Sequence, residues 1–240
     1  MDFIDQSPKW LKTLYVGLLQ ATKAGLQKVG VLDYLDKRAK TDQRYHYIRS
    51  LLAIHQLEDM IALDVPWWTY DAIHVIESHI KAQPHPLRVF EYGSGASTVW
   101  LAKRCDSVRS LEHDERWFTH LQQMLQSYQN VELHLKTPFS VIDEAQYQSP
   151  KAKHMSFRDY VTHIRSWDQV YDLIVIDGRC RAACLQEVMP FLAPDGVIIL
   201  DNSDRTRYQY AIQQTGCKAQ RFPGWVPGSP VKSETAILSR

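Results

Sequence analysis

Val89-Phe90-Glu91-Tyr92-Gly93-Ser94-Gly95-Ala96-Ser97-Thr98 decides how this chain is read, together with Glu112, 17 residues beyond Gly95. Apolar residues lead into an acid, then a Gly-x-Gly bend, and Ala96 to Leu101 continues at helical spacing. That order describes strand, turn and helix, with the turn passing close to a nucleoside-bearing ligand. Glycines there permit positive φ and lack the Cβ that would block the approach. Glu112 ends a second apolar run, Val108 to Leu111, where a carboxylate can accept hydrogen bonds from two ribose hydroxyls.

Outward from this stretch, strands and helices alternate. Strands are expected at 87–91, 107–112, 130–135, 170–176 and 196–201, with helices near 96–104, 114–128, 180–192 and 203–215. Leu173-Ile174-Val175-Ile176 and Val197-Ile198-Ile199-Leu200 are apolar on both faces, as buried parallel strands are. Right-handed crossovers then predict a doubly wound α/β sheet. Two late runs, 217–222 and 233–239, are separated only by turn residues and read as a hairpin whose last strand lies antiparallel at the sheet edge. Residues 137–168 are too long for a plain connection and read as an insertion, holding a helix near 157–164 and serving as a lid or a surface elaboration.

Residues 1–84 read as a helical N-terminal extension to the α/β domain at 85–240. Ser7-Pro8 suits a helix start, with Trp10, Leu11, Leu14, Leu18 and Leu19 following at helical spacing. Thr41 or Asp42 would cap a second helix carrying Tyr45, Ile48, Leu51, Leu52 and Leu57. Trp67-Trp68-Thr69-Tyr70 opens a third after Pro66, and Pro84-His85-Pro86 ends it.

The bulk numbers exclude some classes. A composition of 45% hydrophobic and 23% charged residues is ordinary for a soluble globular chain of 240 residues. A net charge of +1, without a basic stripe or basic-aromatic alternation, argues against a nucleic-acid partner. No apolar run approaches the roughly 18 residues of a membrane span, and no signal peptide is read at the N-terminus, so a cytoplasmic protein without a membrane partner is expected. Cys105, Cys180, Cys184 and Cys217 lack Cys-x-x-Cys spacing and read as free thiols rather than zinc ligands.

Over residues 87–240 the chain resembles the class I S-adenosylmethionine-dependent methyltransferases. Glu91-Tyr92-Gly93-Ser94-Gly95 is similar to their first motif, and Glu112 takes the acidic position ending the second strand. Asp172 to Gly178 resembles the fourth-strand motif, and Leu192 to Leu200 the turn and fifth strand. The resemblance implies a Rossmann-like, seven-stranded, mostly parallel sheet with an antiparallel edge strand. It implies S-adenosyl-L-methionine as cofactor, held by Glu91, Tyr92, Gly93, Ser94, Gly95, Ser97, Glu112, His113 and Asp177, with adenine near Lys136 to Ser140. The rival readings are a nicotinamide-binding oxidoreductase, against which Thr98 stands at the third glycine position, and a non-catalytic nucleoside-binding protein.

Asp177 ends a strongly apolar strand, so its charge needs a partner: the donor's ammonium, an arginine such as Arg179, or a metal. Asp177 with Asp201-Asn202 resembles the magnesium (Mg2+) site of catechol-type O-methyltransferases, where oxygen ligands suit a hard ion. Cys180 stands at the position of that family's catalytic lysine, and Asp201-Asn202-Ser203 reads equally as a helix N-cap. Asp177, His154 and Tyr160 are the catalytic candidates, with His113 and His163 further candidate bases. The acceptor is expected to be a small molecule methylated at oxygen or nitrogen. The helical extension is expected to cover the active site, form a homodimer interface, or both.

Overall fold

The structure is a computed structural model that describes residues 9–53, 56–140, 145–150 and 152–240. The Ser7-Pro8 helix start lies outside the described residues. Among the described residues, five helices precede the sheet: α1 (Lys9–Lys28), α2 (Val31–Ala39), α3 (Gln43–Leu51), α4 (Leu57–Ala62) and α5 (Tyr70–Ala82). Asp42 caps α3, its Oδ1 accepting from the Arg44 N–H at 2.9 Å. The expected second helix, running through Leu57, is instead two, because the chain leaves the helical ladder after Leu51 and α4 restarts it.

The main sheet is built from β1 (Arg88–Tyr92), β2 (Ser107–Glu112), β3 (Val131–Leu135), β7 (Tyr171–Ile176), β8 (Leu192–Asp201), β9 (Lys218–Trp225) and β10 (Lys232–Ser239). Their order is β3-β2-β1-β7-β8-β10-β9. The hairpin β9–β10 forms one edge, with the antiparallel β10 placed one position in, between β8 and β9. Helices α6 (Ala96–Ala102), α7 (Glu115–Met124), α9 (Arg181–Glu187) and α10 (Thr206–Gln214) make the crossovers. The strand order reverses between β1 and β7, where Tyr92 is aligned with Leu111 on one side and Ile176 on the other. That switch point opens the crevice in which such sheets bind ligands. It brings together the bend after β1, Glu112 at the end of β2, and Asp177 after β7.

All six residues of β7 are buried, because both faces of the sheet are covered. One face packs Phe90, Tyr92, Leu111, Ile174 and Ile176 against residues of α9 and α10. The other packs Val89, Val108, Leu173 and Val175 against Trp68, Ile73 and Ile76 from the N-terminal segment and Trp100 of α6. A third cluster joins Leu57, Met60 and Val65 to Val99 and Leu121. Ala53 and residues 57–76 thus contribute side chains to the cores around the sheet.

The insertion holds β4 (Phe139–Ser140), β5 (Gln148–Ser149) and β6 (Ala152–Ser156) as a small antiparallel sheet, then α8 (Arg158–Thr162). Residues 141–144 and 151 lie outside the described residues. Helix α8 and the turn after it bury Phe157, Tyr160, Val161 and Ile164 in the core. Among the described residues no helix is long and apolar enough to cross a membrane.

Candidate active site

Glu91 is fully buried in the last turn of β1, where an isolated carboxylate would be costly. Three hydroxyls answer it. Ser97 donates to Oε1 at 2.5 Å and Thr98 to Oε2 at 2.6 Å, while Ser110 Oγ lies 2.6 Å from Oε2 and 2.8 Å from Ser94 Oγ. Burial nevertheless pushes the carboxyl up to about 7 against the pull of these donors, and Glu112 adds to the rise. Thr98 Oγ1 also accepts from the Gly95 N–H at 2.9 Å. Glu91 therefore holds the bend and the first turn of α6 from beneath. Ser97, expected at the cofactor, is committed to this internal network.

The two glycines of the bend do different work. Gly93 has φ 95°, and a Cβ there would lie 2.7 Å from the Gly178 Cα and N. It is needed so that the loops after β1 and β7 can touch backbone to backbone. A Cβ on Gly95 would meet nothing within 4 Å. The open space expected for a ligand is thus at Gly95. Tyr92 faces the core rather than the crevice: its hydroxyl donates to Val161 O at 2.5 Å, so only its backbone belongs to the site.

Glu112 is buried at the end of β2. Its Oε1 accepts from the backbone N–H groups of His113 at 2.7 Å and Asp114 at 2.8 Å, while Oε2 makes no hydrogen bond among the described residues. The carboxylate is oriented by its own turn and leaves one oxygen without a donor among the described residues. His113 Nδ1 lies 2.7 Å from the same Oε1 without an aligned hydrogen bond, and its Nε2 accepts from Arg179 Nε at 3.1 Å. The His113 ring packs beside Phe157 and Tyr160, with centroids 5.7 and 6.0 Å away.

Magnesium does not fit beside Asp177. The guanidinium of Arg181 already stands between the two carboxylates: Nη2 donates to Asp177 Oδ1 and O, both at 2.7 Å, and Nη1 donates to Asp201 O at 2.5 Å and Oδ2 at 3.2 Å. Nε donates to Gly178 O at 3.1 Å. Burial works against the Arg181 charge, but Asp177 and Asp201 outweigh it and raise its pKa. Asp201 Oδ1 accepts from Thr235 at 3.0 Å, and the Asn202 amide donates to Ser233 Oγ at 3.0 Å. Asn202 sits in the left-handed region at φ 53° and caps no helix, because α10 begins only at Thr206. Among the described residues no group of three or more His, Cys, Asp or Glu is arranged to hold a metal.

The base candidates scatter. His154 is exposed on β6, in the small separate sheet. Tyr160 is fully buried, and burial raises its phenol well above the ordinary value, so it keeps its proton and is a donor, not a base. His163 packs against His134 and Trp167 beyond the crevice, held well down, to about 4, first by burial and then by Lys136 and His134. Cys180 donates to Tyr147 O at 3.2 Å, and burial pushes its thiol up to about 12, which removes it as a nucleophile. Sequence reasoning missed the clasp made by Arg181. The four-residue spacing from Asp177 gave no helical signal, because Asp177 lies in the loop after β7 and the helix begins only at Arg181.

Residues 90–203 match the sequence family described as a methyltransferase domain. No curated protein matches the sequence significantly. Among solved structures, a methyltransferase-like protein from Silicibacter pomeroyi is similar at 18% identity, covering 71% of this chain and 87% of that one with a TM-score of 0.48. A precorrin-6y C5,15-methyltransferase from Geobacter metallireducens is similar at 13% identity, over 70% and 86% of the two chains, with a TM-score of 0.45. An rRNA methylase from Streptococcus thermophilus is similar at 11% identity, over 69% and 93%, with a TM-score of 0.48. The sequence match thus assigns a methyltransferase domain to residues 90–203, carried on a doubly wound, Rossmann-like sheet. The nicotinamide reading of the bend gives way to this one. Thr98, where that fingerprint has its third glycine, is tied to Glu91 and Gly95.

Proposed function

We propose that this methyltransferase acts on a small molecule, at oxygen or nitrogen. The observation that supports a compact acceptor is the pairing of the basic residues: Arg88, Arg104, Arg109, Arg165, Arg181 and Arg221 each face a carboxylate. Such pairing lowers the basic charge that these arginines offer to a polyanion. The buried aromatic group of Phe157 and Tyr160 beside the crevice suits an enclosed, largely apolar pocket.

S-adenosylmethionine supplies a methyl group on a sulfonium, which is displaced in line by the acceptor. Gly95 leaves room for the amino-acid part of the donor, and Glu112 Oε2 is placed to accept from the ribose hydroxyls. Glu91 fixes the bend through its three hydroxyl partners. Arg181 fixes the ends of β7 and β8 relative to each other. Phe157 and Tyr160 keep water from the flank of the crevice.

Calorimetry with S-adenosylhomocysteine tests the reading. The expected result is binding that Glu112→Ala weakens about tenfold or more, the scale of a lost hydrogen bond to a charged group. Tight NADH binding, or S-adenosylhomocysteine binding indifferent to Glu112, would overturn it.

A further inference from the structure

Arg179 differs from Arg88, Arg104, Arg109, Arg165, Arg181 and Arg221, each of which faces a carboxylate. It is half-buried on the turn after β7, and no carboxylate faces it among the described residues. Its one side-chain hydrogen bond there runs from Nε to His113 Nε2 at 3.1 Å. To accept that bond, Nε2 must be bare, which leaves the ring proton on Nδ1, 2.7 Å from Glu112 Oε1 but not aligned with it. The imidazole thus aims the guanidinium without neutralising it. The forked end, Nη1 and Nη2, makes no hydrogen bond among the described residues.

A second donor lies close by in the chain's path. Tyr160 is fully buried, and its hydroxyl donates to no acceptor among the described residues. It points at Gly178, the residue before Arg179, closely enough that a Cβ there would sit 2.0 Å from Oη. Burial keeps this phenol protonated. The turn after β7 therefore carries an aimed guanidinium and is met by a buried O–H, with no acceptor for the fork or for the O–H among the described residues. A planar fork of this kind matches the paired oxygens of a carboxylate or phosphate.

We propose that Arg179, oriented by His113, binds an anionic group of a ligand at the methyl-transfer site. That group is the carboxylate of the donor's amino-acid part or an acid carried by the acceptor. The proposal deepens the function proposed above and rests on it.

The test is titration calorimetry on wild type, Arg179→Met and Arg179→Lys. The probes are S-adenosylhomocysteine, 5′-methylthioadenosine, which lacks the amino-acid part, and inorganic phosphate or benzoate added to protein saturated with S-adenosylhomocysteine. If the donor carboxylate is bound, Arg179→Met weakens S-adenosylhomocysteine about tenfold or more and leaves 5′-methylthioadenosine unchanged, while Arg179→Lys loses less. If the acceptor's acid is bound, S-adenosylhomocysteine is unaffected and the phosphate or benzoate binding of wild type is lost in Arg179→Met. Equal weakening of both nucleosides would mean that Arg179 only steadies His113 and Glu112, and would overturn the proposal. So would unchanged binding of every probe, the behaviour of a solvated arginine. If wild type binds no S-adenosylhomocysteine, the cofactor reading fails by itself, and phosphate and benzoate titrations of the unliganded protein still decide the anion site.

Discussion

Glu91 carries a carboxyl group into the core, held among the described residues by Ser97, Thr98 and Ser110. Its folded-state value of about 7 lies above the ordinary 4.5. Between those two values the folded chain binds more protons than the unfolded chain, so stability falls as pH rises through that window. The full stabilising difference is present below about pH 4.5 and is lost above about pH 7. The difference corresponds to roughly 3 kcal/mol at most. Glu91→Gln cannot titrate, so its melting temperature should change less between pH 5 and pH 8 than that of wild type, and the gap between the two proteins should narrow as pH rises. Parallel pH profiles for the two proteins in scanning calorimetry would contradict the assignment.

At the scale of elements, what holds the site is the join between strand ends. Arg181, near the start of α9, ties the loop after β7 to the end of β8 through Asp177 and Asp201. Removing the guanidinium would leave two buried carboxylates facing each other, a loss of about 3–5 kcal/mol. Arg181→Met should therefore melt well below wild type, with Arg181→Lys between them. A chelator should change neither the melting temperature nor the turnover of wild type. A chelator-sensitive wild type would show that a metal, not Arg181, supplies the cation. The sequence displayed β1, β7 and β8 because parallel strands covered on both faces must be apolar throughout, as Leu173 to Ile176 are. It did not display β4 and β5, since strands of two residues have no alternation to read. Asp201 could not be matched with Arg181 from spacing either. They lie 20 residues apart, and only the pairing of β7 with β8 brings them together. The Gly-x-Gly bend was legible as a bend, but the contact that Gly93 makes with Gly178 depends on β7 lying beside β1.

Across the whole molecule, these joins continue into the N-terminal segment. The Thr69 N–H donates to Thr235 Oγ1 at 3.1 Å, Thr235 donates to Asp201 Oδ1 at 3.0 Å, and Asp201 accepts from Arg181. Beside this chain of bonds, Trp68 meets Trp100 of α6 edge to face, with centroids 5.8 Å apart and both rings buried. Trp68 is thus a core residue of the sheet contributed by a helical segment. Truncating it opens a large cavity, at a cost of about 3–5 kcal/mol, or roughly 6–20 °C in melting temperature for a chain of this size. Trp68→Phe should cost far less: it keeps most of the ring volume and removes an indole N–H that is buried without a partner among the described residues. We expect Trp68→Ala to lower a single calorimetric transition in which the helices and the sheet unfold together. Two separate transitions, with the sheet melting as in wild type and only the helical segment lost early, would mean that the extension folds apart from the methyltransferase domain.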